Sequence, residues 1–445
     1  MASIAVMLFH RDLRLADHRG LEVASKIGKV LPLFVFTPEQ VTTQNVLRST
    51  NSIEFMIASL GELQKEIADH DGKLYLGYGK TLDILKQLHT KLPFTALIAT
   101  ADYTPSAKQR TRILSEWCAK EGIDHRSIHD SYLLPPGTVK TGTGKTFQKF
   151  TPFYEAARRK QIPAPKPVPN ITFAFIPARP ASGKRGTRKQ RFQSWEVTLE
   201  EMLAKYVPKP NPELAVKGGR KEGLELLKNI PAGYAKTHNI PAVATSMLSA
   251  HNHYGTVSIR EVYQAAKGNT EVKQTHSKNE SAGGETRAKS SSEFVRQLWW
   301  RDFYGNIMAD FETLYGMGAY EFQKAEWERP LSEEKKEWLE RWKKGETGIR
   351  IVDAGMKQLL RTGWMHNRIR LVVASWLTKD MKIHWRHGER FFAQHLVDYD
   401  ATQNMMNWIW VASELPFASA PFRKVSAKGT AEKFDPEEEY VKKWL

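Results

Sequence analysis

The residues best equipped for chemistry lie in the last third of this 445-residue chain. In G-W-M-H-N-R-I-R-L-V-V-A-S-W, Gly363 to Trp376, helical spacing puts Asn367, Arg370 and Leu371 on one face. That face offers a planar amide and a guanidinium to one side, with Leu371, Val372 and Trp376 as apolar cover. A buried arginine needs an acid, and Asp398 or Asp400 is the candidate; a purely structural ion pair fits the same residues. Further on, Q-N-M-M-N-W-I-W-V-A-S sets Trp408 and Trp410 two apart, just after Asn404. Tryptophan is ordinarily core filler, but helical positions two apart diverge by roughly 200°, which suits two separate contacts. Upstream, T-S-M-L-S, Thr245 to Ser249, clusters hydroxyls at a helix start. Such groups donate to phosphate together with orphan backbone amides, although Ser and Thr also cap helices with no ligand present.

Other candidate motifs carry less. V-K-T-G-T-G-K-T, Val139 to Thr146, has Val139 where a phosphate-binding loop requires glycine, so it reads as a surface turn. His251 and His253 have no third ligand at a usual metal spacing and read as satisfied polar side chains, as do His384 and His387. Cys118 is the only cysteine, which excludes an intramolecular disulfide and a thiolate metal cluster.

These residues need a scaffold, and the chain has length for two domains. The first 130 residues alternate β-rich runs (Ile4–Phe9, Val30–Phe36, Lys73–Tyr78, Ala96–Thr100) with amphipathic stretches such as Ile53–Ala68. That alternation predicts a parallel α/β sheet, without the G-x-G-x-x-G of a dinucleotide fold. From Ala156 to Ser194 there are six prolines, ten Lys or Arg and no acid, the composition of an interdomain connection. Thereafter the pattern is helical, with a polar stretch at Lys267–Ser292 expected as a mobile loop and a helix expected over Gly348–Arg361, stopped by Gly363. A net charge of +17 points to a polyanionic partner, most simply nucleic acid. Eleven of the 13 tryptophans lie between Trp299 and Trp444, a density that suits a planar ligand, a base-stacking surface or a dense helical core. No apolar run approaches the length of a membrane span and the N-terminus lacks a secretory layout, so an intracellular, non-membrane protein is expected.

Seven segments occur in order: F-H-R-D-L-R (9–14), L-L-P-P-G (133–137), F-T-P-F (150–153), T-S-M-L-S (245–249), W-R-D-F-Y (300–304), T-G-W-M-H-N-R-I-R (362–370) and N-x-x-x-W-x-W (404–410). Together they resemble the photolyase/cryptochrome family, most nearly its class I cyclobutane pyrimidine dimer photolyases. The resemblance implies an α/β antenna domain over residues 1–130 with a five-stranded, Rossmann-like parallel sheet, a connector over 131–195, and an all-helical FAD-binding domain over 196–445. It places Tyr234, Thr245, Ser246, Met247, Leu248 and Ser249 around the FAD phosphates. Phe294, Gln297, Arg301, Trp364, Asn367, Arg370, Asp398 and Asp400 would surround the flavin and ribose, and Asn404 would face the flavin N5. Trp408, Trp385 and Trp327 match an electron relay to the flavin, with Trp338 as a rival surface end. Trp300 and Trp410 match the walls around a flipped-out lesion, Gln297, Asn367 and Leu371 its pyrimidine edge, and Arg368 and Arg423 the flanking phosphates.

The chain also departs from the family pattern. Gln297 stands where the family usually has an acid, Leu371 where it has Met, Met247 where it has Arg, and Thr104 where a folate antenna leans on an acid. The antenna chromophore, folate or deazaflavin in type, is therefore left open. No signalling tail follows K-K-W-L. The resulting expectation is a monomeric, light-driven enzyme repairing pyrimidine dimers in double-stranded DNA. The alternatives are a cryptochrome-type photoreceptor, (6-4) photoproduct repair, or a basic nucleic-acid binder whose aromatics merely stack bases.

Overall fold

Four mainly apolar runs and one polar one become five parallel strands: β1 (Ile4–Phe9), β2 (Lys29–Phe36), β3 (Tyr75–Tyr78), β4 (Ala96–Thr100) and the polar β5 (Asp124–Ile128). The computed structural model describes residues 3–177, 194–230, 233–271, 281–311, 330–413 and 424–445. Strand order is β3-β2-β1-β4-β5, with Leu8 paired to Leu33 across β1 and β2 and to Ala99 across β1 and β4. The nearly unbroken apolar runs fit a sheet covered on both faces. Helices supply the cover; Thr50–Asp69, longer than the expected Ile53–Ala68, is among them. β3 begins at Tyr75 rather than Lys73.

Part of the connection is tied to the sheet: Phe173 forms a parallel bridge to Val30, and Glu196, just beyond the basic stretch, bridges Gly77 on β3; residues 178–193 lie outside the described residues. The loop expected over Lys267–Ser292 is corrected at its two ends: helix Ile259–Glu271 runs into it and helix Ser281–Asp310 starts within it, while residues 272–280 lie outside the described residues. Low apolar content does not prevent a helix when the residues that follow are buried in a long packed helix. The expected 348–361 helix forms as Arg350–Thr362, capped by Gly363 at φ 66°. The 139–146 segment is a turn closed by a Lys140–Thr146 bridge.

Helix Ser281–Asp310 clamps the chain leaving the sheet. Asn306 accepts from the Gly137 and Val139 amides at 3.0 and 3.4 Å, and Asp302 accepts from Leu134 and Leu133 at 3.0 and 3.3 Å. Burial pushes the Asp302 carboxyl up to about 7, against the pull of those amides and of Arg301. The folded state therefore binds more protons than the unfolded chain between about pH 4 and 7. The contribution is full below the unfolded value and is lost as pH rises through the folded one, at roughly 1.4 kcal/mol per pH unit. Thermal midpoints should fall between slightly acidic and slightly alkaline buffer, and Asp302→Asn should flatten that fall. An unchanged slope in the variant would remove Asp302 from this role.

A second interface is ionic. Arg14 pairs with Asp130, while Arg260 reaches Asp130 at 2.6 Å and Asp17 at 2.8 Å, all of them buried. Each carboxylate is shared by donors from both halves of the chain, the condition under which buried charge is tolerated. Among the described residues, no helix is long and apolar enough to cross a membrane.

Candidate active site

Helix Asn367–Ser375 starts at His366, whose Nδ1 accepts from the Arg368 amide at 3.1 Å. This cap fixes the helix phase, and Asn367, Arg370, Leu371 and Ala374 then line one cavity. Val372 and Trp376, expected as cover for it, turn the other way. Val372 is fully buried in the helical core and Trp376 packs edge-on to Trp338 at 5.8 Å. Their helical phase is the reason: they lie one and five residues beyond Leu371, on the far side.

Arg370 finds its acid in Asp398, donating to the two carboxylate oxygens at 2.8 and 3.1 Å and to the Met365 carbonyl at 2.8 Å. Asp400 has another task. It caps helix Ala401–Ala412 by accepting from the Gln403 amide at 3.0 Å, and it takes Arg11 and the His253 Nδ1 at 3.2 Å each. Burial would raise the Asp400 pKa, but His253 and Arg11 outweigh it and hold the carboxyl well below the usual range. Arg11 also pairs with Asp102 at 2.8 Å, so the end of β1 is tied to the start of the helix that carries Asn404.

Helix Ala401–Ala412 presents three faces. Asn404, Trp408 and Val411 line the inner cavity, and Gln403 and Asn407 line both it and an outer chamber, which Trp410 faces. Trp408 is 2% exposed, lying edge-on to Phe392 at 5.1 Å and against Gly388, where any side-chain carbon would overlap its ring. The divergence expected of the two indoles is realised. Trp300 forms an opposite part of the outer wall, its ring stacked on Phe150 at 3.8 Å and 6°, with Arg296 over Phe150 at 5.5 Å. Arg368 lies in the same chamber, bonded to Asn239 and 4.9 Å over Phe434.

The two chambers, ≈ 250 and ≈ 510 Å³, share Tyr234, Ser246, Ser249, Arg301 and Arg370. Thr245, Met247 and Leu248 line the outer chamber, and Met247 is held at φ 53°, a left-handed conformation costing a residue with a side chain about 1 kcal/mol. Phe294 borders the inner chamber, Gln297 both, and Trp364 the outer one. Gln297 donates to the Glu293 carboxylate at 2.8 Å, which places an acid one turn from the position that lacks it. Trp385 lines neither chamber; it is 1% exposed and stacks on His384 at 5.6 Å. Trp327 and Arg423 lie outside the described residues.

Sequence reasoning missed Glu389. Its carboxylate accepts from the Asn404 amide at 3.1 Å and from the Tyr399 hydroxyl at 3.4 Å. Burial raises its pKa, against those hydrogen bonds and the charges of Arg386 and Arg390. Its only sequence signal is its place one turn after Trp385 on helix Trp385–His395. Gln403 and Asn407, one turn apart on the same helical face, were among the other lining residues passed over.

The donor set suits a flavin dinucleotide. Apolar and aromatic side chains line the chamber together with an amide (Asn404), a guanidinium (Arg370) and the hydroxyls of Ser246 and Ser249, polar groups of the kinds an isoalloxazine ring and a pyrophosphate take. Two family models match the chain: "DNA photolyase" over residues 5–170 and "FAD binding domain of DNA photolyase" over 294–445. A deoxyribodipyrimidine photo-lyase of Streptomyces griseus is 30% identical over all of this chain and 89% of its own length. Among solved structures, an archaeal photolyase from Sulfolobus tokodaii with two FAD molecules superposes with a TM-score of 0.79 at 29% identity, covering 99% of this chain and 90% of that one. A Synechocystis cryptochrome, at 23% identity and a TM-score of 0.82 over 100% of this chain and 88% of its own, shares the fold.

Proposed function

The chain belongs to the DNA photolyase family, and from that membership we propose that it repairs cyclobutane pyrimidine dimers in DNA with light, using FAD. When bound and reduced, FAD supplies a light-excited electron donor. The protein's own residues then have separable tasks. Arg370, held by Asp398, sets a fixed positive charge at the flavin edge, and Asn404, held by Glu389, turns its amide to the same chamber. Ser246 and Ser249 bind the phosphates. Trp300 and Trp410 face the outer chamber, open to a pair of flipped-out bases, and Arg368 borders it for the flanking backbone. Flipping costs least at a damaged, poorly stacked step; photolyases as a class act on flipped-out bases, so that point is general rather than particular to this chain.

The observation that carries the reading is the nested pair of chambers, with the Arg370–Asp398–Asn404 edge inside and the Trp300/Trp410 walls outside. Gln297 borders both chambers and can both donate and accept, which suits the pyrimidine edge of a dimer. Purified protein carrying reduced FAD should restore an oligonucleotide containing a cyclobutane dimer under blue light, and leave a (6-4) oligonucleotide unchanged. Repair of the (6-4) substrate alone would reverse the assignment, and repair of neither would leave a photoreceptor.

A further inference from the structure

Arg368, which lines the outer chamber, is held by two partners from distant parts of the chain. Its guanidinium lies 4.9 Å over the ring of Phe434, at the end of helix Ala427–Phe434, and donates to the Asn239 side-chain oxygen. Asn239 follows His238, the C-cap of the short helix Tyr234–Thr237. The polarity of these contacts runs one way. The His238 Nδ1–H donates to the Tyr234 carbonyl at 2.7 Å, which leaves Nε2 to accept from the Asn239 side-chain nitrogen at 3.0 Å. That bond turns the Asn239 oxygen towards Arg368. A flipped amide would set acceptor against acceptor at His238 and donor against donor at Arg368. The His238 ring is fixed in turn, stacked on Tyr234 at 5.0 Å and 15°.

We propose that Asn239, braced by His238, is a positioning residue for DNA: it sets the Arg368 guanidinium to meet a backbone phosphate beside the lesion. This rests on the proposed function, in which the outer chamber receives a damaged strand. An arginine side chain has many rotamers, and a phosphate that captures a loose one must immobilise it. A side chain already ordered by a ring and an amide loses less freedom on binding, so more of the contact appears as affinity. A guanidinium carries more donors than one amide can take, so Asn239 orients the fork without filling it.

The backbone of Arg368 is fixed as well, through the amide that donates to His366 at 3.1 Å. Both ends of the residue are therefore set, unlike those of a lysine on a long exposed stem. A mobile surface charge attracts any phosphate that passes. A fixed one favours the strand whose phosphate arrives at its place, and phosphate contacts of that kind set the register of a protein on DNA. Asn239 should therefore matter more for the distorted, dimer-containing strand than for regular duplex.

The test measures binding of the full chain with FAD to a short duplex carrying one cyclobutane dimer, and to the same duplex undamaged, over a series of salt concentrations. Arg368→Met should weaken binding to the damaged duplex roughly tenfold and lower the salt slope by about one. Asn239→Ala should weaken it roughly three- to tenfold, with a smaller effect on undamaged duplex. Its flavin content, thermal midpoint and repair rate at saturating duplex should stay near those of the parent. Added to Arg368→Met, the same substitution should cost nothing more, because it acts through that side chain. Asn239→Asp keeps an acceptor opposite the guanidinium and should recover most of the loss. Parental affinity in Asn239→Ala, or an equal loss in the Arg368→Met background, overturns the proposal. A parent that binds both duplexes alike would count against the proposed function instead, while the variant cycle on either duplex still decides the role of Asn239.

Discussion

Arg370→Met is expected to empty the inner chamber and destabilise the fold together. The Asp398 side chain is 3% exposed and takes both of its close donor contacts from one guanidinium nitrogen. Removing that partner leaves a buried carboxylate uncompensated, which typically costs about 3–5 kcal/mol. The Arg370 side chain is 24% exposed, so the lower end of that range applies. For a domain of this size about 3 kcal/mol lowers the thermal midpoint by roughly 6–12 °C. Flavin absorbance should be lost on gel filtration, because the same residue bounds the chamber. Arg370→Met/Asp398→Leu separates the two effects: it should regain most of the stability, since an apolar pair of similar volume is often neutral, but no flavin. An Arg370→Met protein that keeps parental flavin content would make the pair structural and nothing more.

Spacing alone left Asp398 and Asp400 open as partners for Arg370, and only the family resemblance pointed to Asp398. Helical phase shows which residues share a face, and it correctly gathered Asn367, Arg370 and Leu371. It carries no information on which distant acid arrives opposite them. Asp400 is claimed by Arg11 and His253, residues about 390 and 150 positions away, by contacts that no local spacing encodes. Glu389 was hidden for the same reason. On an amphipathic helix it looks like any solvated acid until Asn404 is brought against it. The four β-rich runs were readable because a covered parallel strand is apolar on both faces, whereas β5, D-H-R-S-I, is polar in composition and forms through its pairing with β4. The missed start of helix Ser281–Asp310 is the converse case, a polar segment continued as helix by the packed turns after it. Motif order, by contrast, survives such long-range ignorance, because it records positions that the fold must bring together whatever their neighbours.

Trp408→Phe and Trp410→Ala should fail in opposite assays, and the helix geometry is the reason. Trp408 touches the inner chamber, and in the proposed reading it begins the relay that continues through Trp385. Phe packs against Gly388 and Phe392 as an aromatic ring still, but it is far harder to oxidise than indole. Photoreduction of oxidised flavin should therefore fall by roughly two orders of magnitude or more, since one substitution removes the first step of the proposed relay. Repair by protein reduced chemically beforehand should fall far less, because that reaction does not need the relay. Trp410→Ala should do the reverse. Base stacking on an aromatic wall contributes about 1–3 kcal/mol per base, so affinity for dimer-containing DNA should weaken by roughly 5- to 150-fold. The photoreduction rate should stay near that of the parent, because Trp410 faces only the outer chamber. Flavin photoreduction and DNA binding measured on both variants give four numbers; equal losses in both assays for either variant would mean that the two indoles do share one task.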